Sequence, residues 1–353
     1  MRSGLIQSLF LTAATAFLLA AGCGERSAEQ TISESRSLLG TYVTITVGAQ
    51  DNPKARAHLG AAFDRIAALE RTLSARRPDS ELSLALEKAK QEPAPVSDDL
   101  YRALAAGVAW RERSRGAFDI TVGPLLNLWR ICGKENRLPA AGELERARDL
   151  LGADAILLDE PARTVRLLKD TVAVDLGGLG KGFCADEVRK LLERRSVKRA
   201  LIAVAGDIYA LGRKPDGSPW RVGVQDPRKP NDPRALMTVL LLSDKAVSTS
   251  GNYQRYVEIS GKRYSHIVDP RTGLTAENVP SVTVIGPDTL TTDVLGTTLS
   301  VLGVEEGLAM VEALPDIEAL FITFDEQDRP TFFRSGGFAA YEAGANGGAD
   351  YRK

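Results

Sequence analysis

The sequence predicts an α+β fold, because strand and helix patterns are mixed without regular βαβ alternation. Residues 41–47 alternate between apolar and polar side chains, which predicts a first strand, and residues 54–73 carry apolar side chains at helical spacing. The second half is rich in strand patterns, and helical spacing returns at residues 289–313. We therefore expect mixed, largely antiparallel sheets flanked by helices.

The remaining elements follow from the same patterns. Helices are predicted after Ser80, which is placed to cap one, and at residues 98–113, 139–150 and 187–195. Further strands are predicted at residues 155–158, 164–168, 171–174, 200–204, 220–224, 236–242, 253–259, 263–268, 282–285 and 318–324. The folded domain is predicted to span residues 38–338. The glycine- and alanine-rich residues 339–353 are expected to form a flexible tail.

The N-terminus has the pattern of a bacterial lipoprotein signal. A positive Arg2 and an apolar stretch precede Leu-Ala-Ala-Gly-Cys, which ends at Cys23. We expect residues 1–22 to be removed, Cys23 to be lipidated, and the polar residues 23–37 to form a flexible tether. The protein would then be exported and anchored to a membrane, facing the periplasm. An ordinary secretory signal with an incidental cysteine is the alternative.

Composition excludes several classes of function. The chain has 45 Lys and Arg against 46 Asp and Glu. It lacks a stripe of basic residues of the kind that would indicate nucleic-acid binding. Only Cys132 and Cys184 follow Cys23, which argues against a disulfide scaffold and against a multi-cysteine metal site.

The glycine-rich segment at residues 175–186, D-L-G-G-L-G-K-G-F-C-A-D, is the clearest functional signal. Glycines between a predicted strand and a helix start let the backbone approach a ligand, and the helix N-terminus and Lys181 add positive charge. This combination predicts a site for phosphate or pyrophosphate. It is neither a P-loop, because Gly182 follows Lys181, nor a dinucleotide fingerprint, because Phe183 stands at the third glycine position. A turn that binds no ligand remains the alternative.

Two further groups of residues suggest chemistry. Asp293 and Thr297 are four residues apart on a predicted helix, so a carboxylate and a hydroxyl share one face and suit Mg²⁺. Asp293 could instead only stabilise the helix N-terminus. His266 lies where a predicted strand runs into a turn, and it is either a functional base or a hydrogen-bonded structural histidine.

Together these segments resemble the ApbE family, the FAD:protein FMN transferases. The resemblance rests on eight segments in the family's order: L-G-T-Y at residues 39–42, R-P-D-S-E-L at 77–82, G-A-F-D-I-T-V-G-P at 116–124, D-L-G-G-L-G-K-G at 175–182, A-G-D-I at 205–208, V-S-T-S-G-N-Y at 247–253, S-H-I-V-D-P-R-T-G at 265–273 and T-D-V-L-G-T at 292–297. It implies an ApbE-like flavin transferase fold with FAD in a cleft between two lobes.

The resemblance also implies a reaction and its residues. The family uses Mg²⁺ to transfer FMN from FAD to a threonine or serine hydroxyl of an acceptor protein, and AMP is released. Acceptors are subunits of membrane NADH:quinone reductase and related electron-transfer complexes. By position, Asp293, Thr297 and the carbonyl of Gly178 are implied metal ligands, and His266 is the implied base, with Lys181 and Asp293 also in the catalytic set. The implied contacts to FAD are Leu39, Ala117, Phe118, Asp119, Asp175, Lys181 and Ile267.

The chain departs from the family pattern at four positions. Leu39 replaces the usual methionine, Arg76 stands where tyrosine is common, Ala205 replaces a glycine, and Thr292 replaces an alanine. None of these changes removes an implied metal ligand. Two other functions remain open from the sequence: an FAD pyrophosphatase that produces FMN and AMP, and a lipoprotein that binds FAD without chemistry.

Overall fold

Fifteen strands and seven α-helices lie in residues 30–49, 51–253 and 255–344, the part of the chain that this computed structural model describes. The helices are α1 (Pro53–Leu73), α2 (Glu81–Ala89), α3 (Asp98–Arg113), α4 (Gly123–Lys134), α5 (Ala141–Asp149), α6 (Gly180–Arg194) and α7 (Thr289–Glu312). The strands are β1 (Thr31–Leu38), β2 (Thr41–Gly48), β3 (Ala94–Pro95), β4 (Ile156–Asp159), β5 (Thr164–Leu167), β6 (Ala200–Val204), β7 (Asp207–Leu211), β8 (Trp220–Gln225), β9 (Leu236–Leu242), β10 (Lys245–Gly251), β11 (Tyr256–Ile259), β12 (Lys262–Ser265), β13 (Ser281–Gly286), β14 (Glu318–Phe324) and β15 (Pro330–Arg334).

An eight-stranded sheet in the order β1-β2-β6-β7-β10-β13-β14-β15 organises the fold, and its neighbouring strands are antiparallel. Three smaller antiparallel sheets accompany it: β3-β5-β4, β8-β9 and β11-β12. The predicted α+β class with antiparallel sheets is therefore confirmed.

Helices α1, α6 and α7 cover one face of the large sheet. Alternation along the strands directs Ala200, Ile202 and Val204 of β6 toward these helices. Helix α7 is long and apolar enough to span a membrane by length and composition, but it packs against β10, β13 and α6. It is therefore a core helix of the domain.

The β8–β9 ribbon covers the opposite face. Trp220 and Leu240 of the ribbon pack with Ile285 and Leu320 of the sheet, and Phe338 completes this core. Because both faces of the central strands are covered, all six residues of β13 are buried.

A second group of elements lies beside the sheet. Helices α2 and α3 pack with the β3-β5-β4 sheet in a core that continues to α7. Helices α4 and α5 pack with β11 around Leu125, Trp129 and Ile259. The turn and loops between these elements and the large sheet carry the residues of the site described below.

Several predicted elements are confirmed closely. Helix α3 and strands β9 and β14 have the predicted bounds, and α1 and α5 differ from prediction by one or two residues at an end. Ser80 caps α2 as predicted, because its hydroxyl accepts a hydrogen bond from the Ser83 N–H at 3.1 Å.

The predicted strand at residues 171–174 is wrong. Val172 and Val174 are buried, as the alternation indicated, but the segment joins no sheet. The backbone N–H of Asp175 instead donates to the carbonyl of Ile120 at 2.7 Å. The segment is thus held against the loop before α4, a helix that the sequence patterns did not predict.

Both ends of the predicted domain extend further than expected. Residues 31–37, predicted as part of a flexible tether, belong to edge strand β1, and the Ser33 and Ser35 hydroxyls bond to Thr46 and Thr44 of β2. The predicted tail also begins as ordered structure, since Glu342 bridges to Leu240 in the ribbon and pairs with Arg334 at 2.8 Å. The predicted signal peptide, Cys23 and residues 345–353 lie outside the described residues.

Helices α6 and α7 meet at unusually close range. The buried Asp186 carboxylate of α6 accepts the backbone N–H groups of Thr289 and Leu290 at 3.0 and 2.9 Å, so it caps α7. A Cβ atom at Gly182 would overlap the carbonyl oxygen of Thr289 and would lie 2.9 Å from the Cβ of Asp293. Only glycine permits this approach at position 182.

We expect Gly182→Ala to destabilise the domain by about 1–3 kcal/mol, because the added methyl group forces α7 away from α6. Denaturant unfolding followed by circular dichroism measures the loss. Gly180→Ala is the matched control in the same turn, where no atom lies within 4 Å of an added Cβ. It is expected to be neutral or to stabilise the helix by about 0.5–1 kcal/mol. Equal stability of the two variants would contradict the close-approach account.

Candidate active site

A cavity of about 400 Å³ opens beside the junction of α6 and α7. This volume is within the range of small-molecule binding sites. The wall is formed by the start of β2, the loop before α4, the glycine-rich loop and residues at or just after the ends of β6, β10 and β12. The lining residues that concern us are Thr41, Arg76, Ala117, Phe118, Asp119, Asp175, Gly178, Lys181, Asp207, Thr249, Ser250, Arg255, His266, Ile267, Asp293 and Thr297.

The glycine-rich loop and α7 converge on this cavity. The N–H of Gly182 donates to Oδ2 of Asp293 at 2.9 Å, and Lys181 Nζ lies 3.0 Å from Oδ1 of the same carboxylate. A Cβ atom on Gly178 would lie 3.5 Å from Thr297 Oγ1, so the backbone of Gly178 is next to that hydroxyl. Two segments more than a hundred residues apart thus supply one site.

A buried cluster of three charged groups lies at the centre of this convergence. Lys181 Nζ contacts Asp207 Oδ2 at 2.6 Å as well as Asp293, and both aspartates are almost fully buried. Burial and the nearby charge of Asp293 raise the pKa of Asp207 to about 6, against the opposing effect of Lys181. Burial alone would lower the pKa of Lys181, but the two carboxylates outweigh it and raise that pKa. Lys181 therefore remains protonated.

The oxygen atoms around the cluster fit a hard divalent cation. Asp293 supplies a carboxylate, and the backbone of Gly178 lies beside the Thr297 hydroxyl in the wall of the same cavity. The hydroxyls of Thr298 and Ser300, by contrast, bond to carbonyls of their own helix. Within the described ranges no three His, Cys, Asp or Glu residues form a metal cluster. Mg²⁺ in proteins is usually bound by only one or two protein carboxylates together with phosphate groups of the substrate.

His266 lines the cavity, and one of its two ring nitrogens is hydrogen-bonded to the backbone. Its Nδ1 lies 2.9 Å from the carbonyl oxygen of Arg255, which can only accept, so Nδ1 carries the proton and Nε2 has the lone pair. Solvent reaches the ring from the cavity, and protein atoms surround it on other sides. This desolvation lowers the pKa of His266, the Arg255 carbonyl partly opposes it, and the charges of Arg255 and Lys181 lower it further. The imidazole is therefore neutral at pH 7.

The other residues predicted to contact FAD also line the cavity, with the exception of Leu39. Asp119 accepts hydrogen bonds from Thr121 and Arg111 that hold the loop before α4, and Asp175 accepts the N–H of Gly177 at 2.7 Å. Ala117, Phe118 and Ile267 are buried apolar parts of the wall. Leu39 does not line the cavity: it lies in the β1–β2 turn with φ of 56° and packs against the hydrophobic cores. Cys23 lies outside the described residues.

Sequence reasoning missed several cavity residues. Asp207 and Thr249 belong to the segments A-G-D-I and V-S-T-S-G, which were singled out as motifs but received no role. Arg255 was not singled out at all. No local sequence signal identified Asp207, because neither strand β7 nor the burial of this carboxylate was predicted.

The chain is similar to known proteins over most of its length. The model of the ApbE family matches residues 39–321. Proteins named FAD:protein FMN transferase from Klebsiella pneumoniae (strain 342) and Vibrio cholerae are 33% and 34% identical over 292 and 311 residues. The matches cover 82% and 86% of this chain and 89% and 90% of those relatives.

The fold is shared with solved structures as well. The ApbE protein of Thermotoga maritima superposes with a TM-score of 0.78 at 32% identity, over 89% of this chain and 100% of that one. The family match, the identities and this superposition agree over most of the chain. This protein belongs to the ApbE family.

Proposed function

We propose that this protein is an FAD:protein FMN transferase that uses Mg²⁺, joins FMN to a threonine or serine hydroxyl of an acceptor protein, and releases AMP. The single observation that carries the proposal is the convergence of Lys181, Asp293 and Thr297 on one cavity whose rim holds His266. The names of the relatives support the same reaction.

The proposed reaction exchanges one phosphate bond for another. The acceptor oxygen forms a bond to the phosphorus of the FMN half of FAD, and the bond from that phosphorus to the bridging oxygen breaks. AMP leaves with the bridging oxygen. The hydroxyl proton passes to Nε2 of His266, which is free because Nδ1 is bonded to Arg255.

The remaining residues provide position and charge. Asp293, Thr297 and the carbonyl of Gly178 would hold Mg²⁺, which when bound neutralises negative charge on the diphosphate oxygens. Lys181 adds a fixed positive charge beside the same carboxylate. Ala117, Phe118 and Ile267 offer apolar surface to the organic part of the substrate. Positioning and charge neutralisation are what phosphoryl-type transfer mainly requires.

The location and the acceptor are also proposed. The lipoprotein-like pattern ending at Cys23 supports an exported protein anchored by lipid and facing the periplasm. Subunits of membrane NADH:quinone reductase or related electron-transfer complexes are acceptors that such an anchored enzyme could reach. Labelling with a radioactive fatty acid tests the anchor, and labelling that persists in Cys23→Ala would contradict it.

Incubation of the full chain with FAD, Mg²⁺ and an acceptor fragment is expected to produce a fluorescent acceptor band in a denaturing gel and a mass increase equal to bound FMN. Asp293→Ala is expected to abolish the band, because it removes the carboxylate at the centre of the site. Glu305→Ala, an exposed position on the same helix, is the matched control and is expected to keep full activity. Free FMN without a band would instead support the pyrophosphatase, and FAD binding without turnover would support a binding lipoprotein.

His266→Gln is expected to lower the transfer rate by about 10²–10⁴-fold, the usual effect of losing a general base. In the unmodified protein the rate is expected to fall as the pH drops through the pKa of His266, with a midpoint below its ordinary value of 6.5 because that pKa is lowered. The variant is expected to lose this acid limb while it keeps its affinity for FAD. His58→Gln, the other histidine of the chain, is the control. At saturating Mg²⁺, so that protonation of Asp207 does not limit cation binding, an acid limb that survives in His266→Gln would exclude this role.

A further inference from the structure

Lys181 occupies an oxygen of the carboxylate that the proposed cation needs. Its ammonium lies 3.0 Å from Oδ1 of Asp293, while Oδ2 of Asp293 accepts the N–H of Gly182. A positive ammonium and a divalent cation repel each other when they share one carboxylate. Lys181 and the cation therefore compete for Asp293 unless another group holds the ammonium.

Asp207 is positioned to hold the ammonium group of Lys181. Its Oδ2 lies 2.6 Å from Lys181 Nζ, a shorter contact than the one to Asp293. Asp207 is the first residue of β7 and pairs with Val204 of β6 on one side and Ser248 of β10 on the other. Its backbone is thus fixed by two neighbouring strands of the large sheet, whereas Asp293 lies on α7.

The charges of the cluster also suit a cation. Two buried carboxylates and one ammonium leave a net charge of −1 before any ligand binds. A buried cluster of this charge favours a positive ligand, and carboxylates beside a metal ligand commonly tune its affinity.

We propose that Asp207 is a positioning residue: it holds the ammonium of Lys181 so that Asp293 stays available to the divalent cation. The proposal rests on the cation site of the proposed function. Asp207 was assigned no role by the sequence patterns, and in this account it touches Lys181 rather than the cation.

The probe is Mn²⁺ alone, bound to the full chain without FAD and measured by the electron paramagnetic resonance signal of free Mn²⁺. Asp207→Asn is expected to weaken Mn²⁺ binding by about 10–100-fold, the usual range for a group behind a metal ligand. The neutral amide cannot balance the ammonium, so Lys181 stays on Asp293. Unchanged Mn²⁺ affinity would overturn the proposal.

The double variant Asp207→Asn with Lys181→Met separates positioning from direct ligation. It has the same net charge as the unmodified cluster and no competing ammonium, so Mn²⁺ affinity is expected to return to the unmodified range. If Asp207 were itself a ligand, affinity would stay low, and the proposal would be wrong. Lys181→Met alone is expected to bind Mn²⁺ more tightly; equal or weaker binding would overturn the proposal even if Asp207→Asn failed to fold.

Two controls complete the test. Asp226→Asn removes one negative charge from a buried carboxylate outside the cavity, where it pairs with Arg228, and it is expected to leave Mn²⁺ affinity nearly unchanged. If this control lost as much Mn²⁺ affinity as Asp207→Asn, the lower affinity would be explained by the change in net charge alone, and the proposal would be overturned. Asp293→Ala is expected to abolish binding. Binding that survives it would refute the cation site itself, whereas its loss together with unchanged Asp207→Asn would refute only the role of Asp207.

Discussion

The contact between the first turn of α6 and the first turns of α7 is the constraint on which the site depends. Gly182 brings its N–H to Asp293 only because it has no side chain, and Asp186 fixes the start of α7 from the same helix. These two contacts set the distance between the glycine-rich loop and the Asp293 carboxylate. Lys181 on α6 and Thr297 on α7 occupy their positions in the cavity as a consequence.

The architecture explains why such a site can be both buried and accessible. The large sheet is covered on both faces, so the ends of its strands and the start of α6 are held rigidly. The cavity lies where these ends meet the loop before α4 and the turn after β12. The charged side chains of Lys181, Asp207 and Asp293 line the cavity, and His266 is an exposed residue of its wall. A transferase that acts on another protein needs buried charged groups together with a residue that the other protein can reach.

Much of this arrangement was predictable from local patterns, and the exceptions have physical causes. The glycine spacing and the four-residue interval of Asp293 and Thr297 are local signals, and the structure brings both segments to one cavity. Alternation predicted the burial of Val172 and Val174 correctly, but burial does not reveal hydrogen-bond partners, and the segment joins no sheet. Strand β10 was missed because it is polar: Ser248 bonds to Thr292 of α7, and Thr249 bonds to Thr283 of β13. Asp207 could not be placed without knowing that β6, β7 and β10 are neighbours.

The most direct test is a crystal structure of the protein with FAD and Mn²⁺, using the anomalous signal of manganese to locate the ion. We expect one strong anomalous peak in contact with Asp293 and Thr297 and with oxygens of the FAD diphosphate. The Gly182 loop is expected to lie against the same diphosphate. A manganese peak elsewhere, or a diphosphate bound away from α7, would contradict the account.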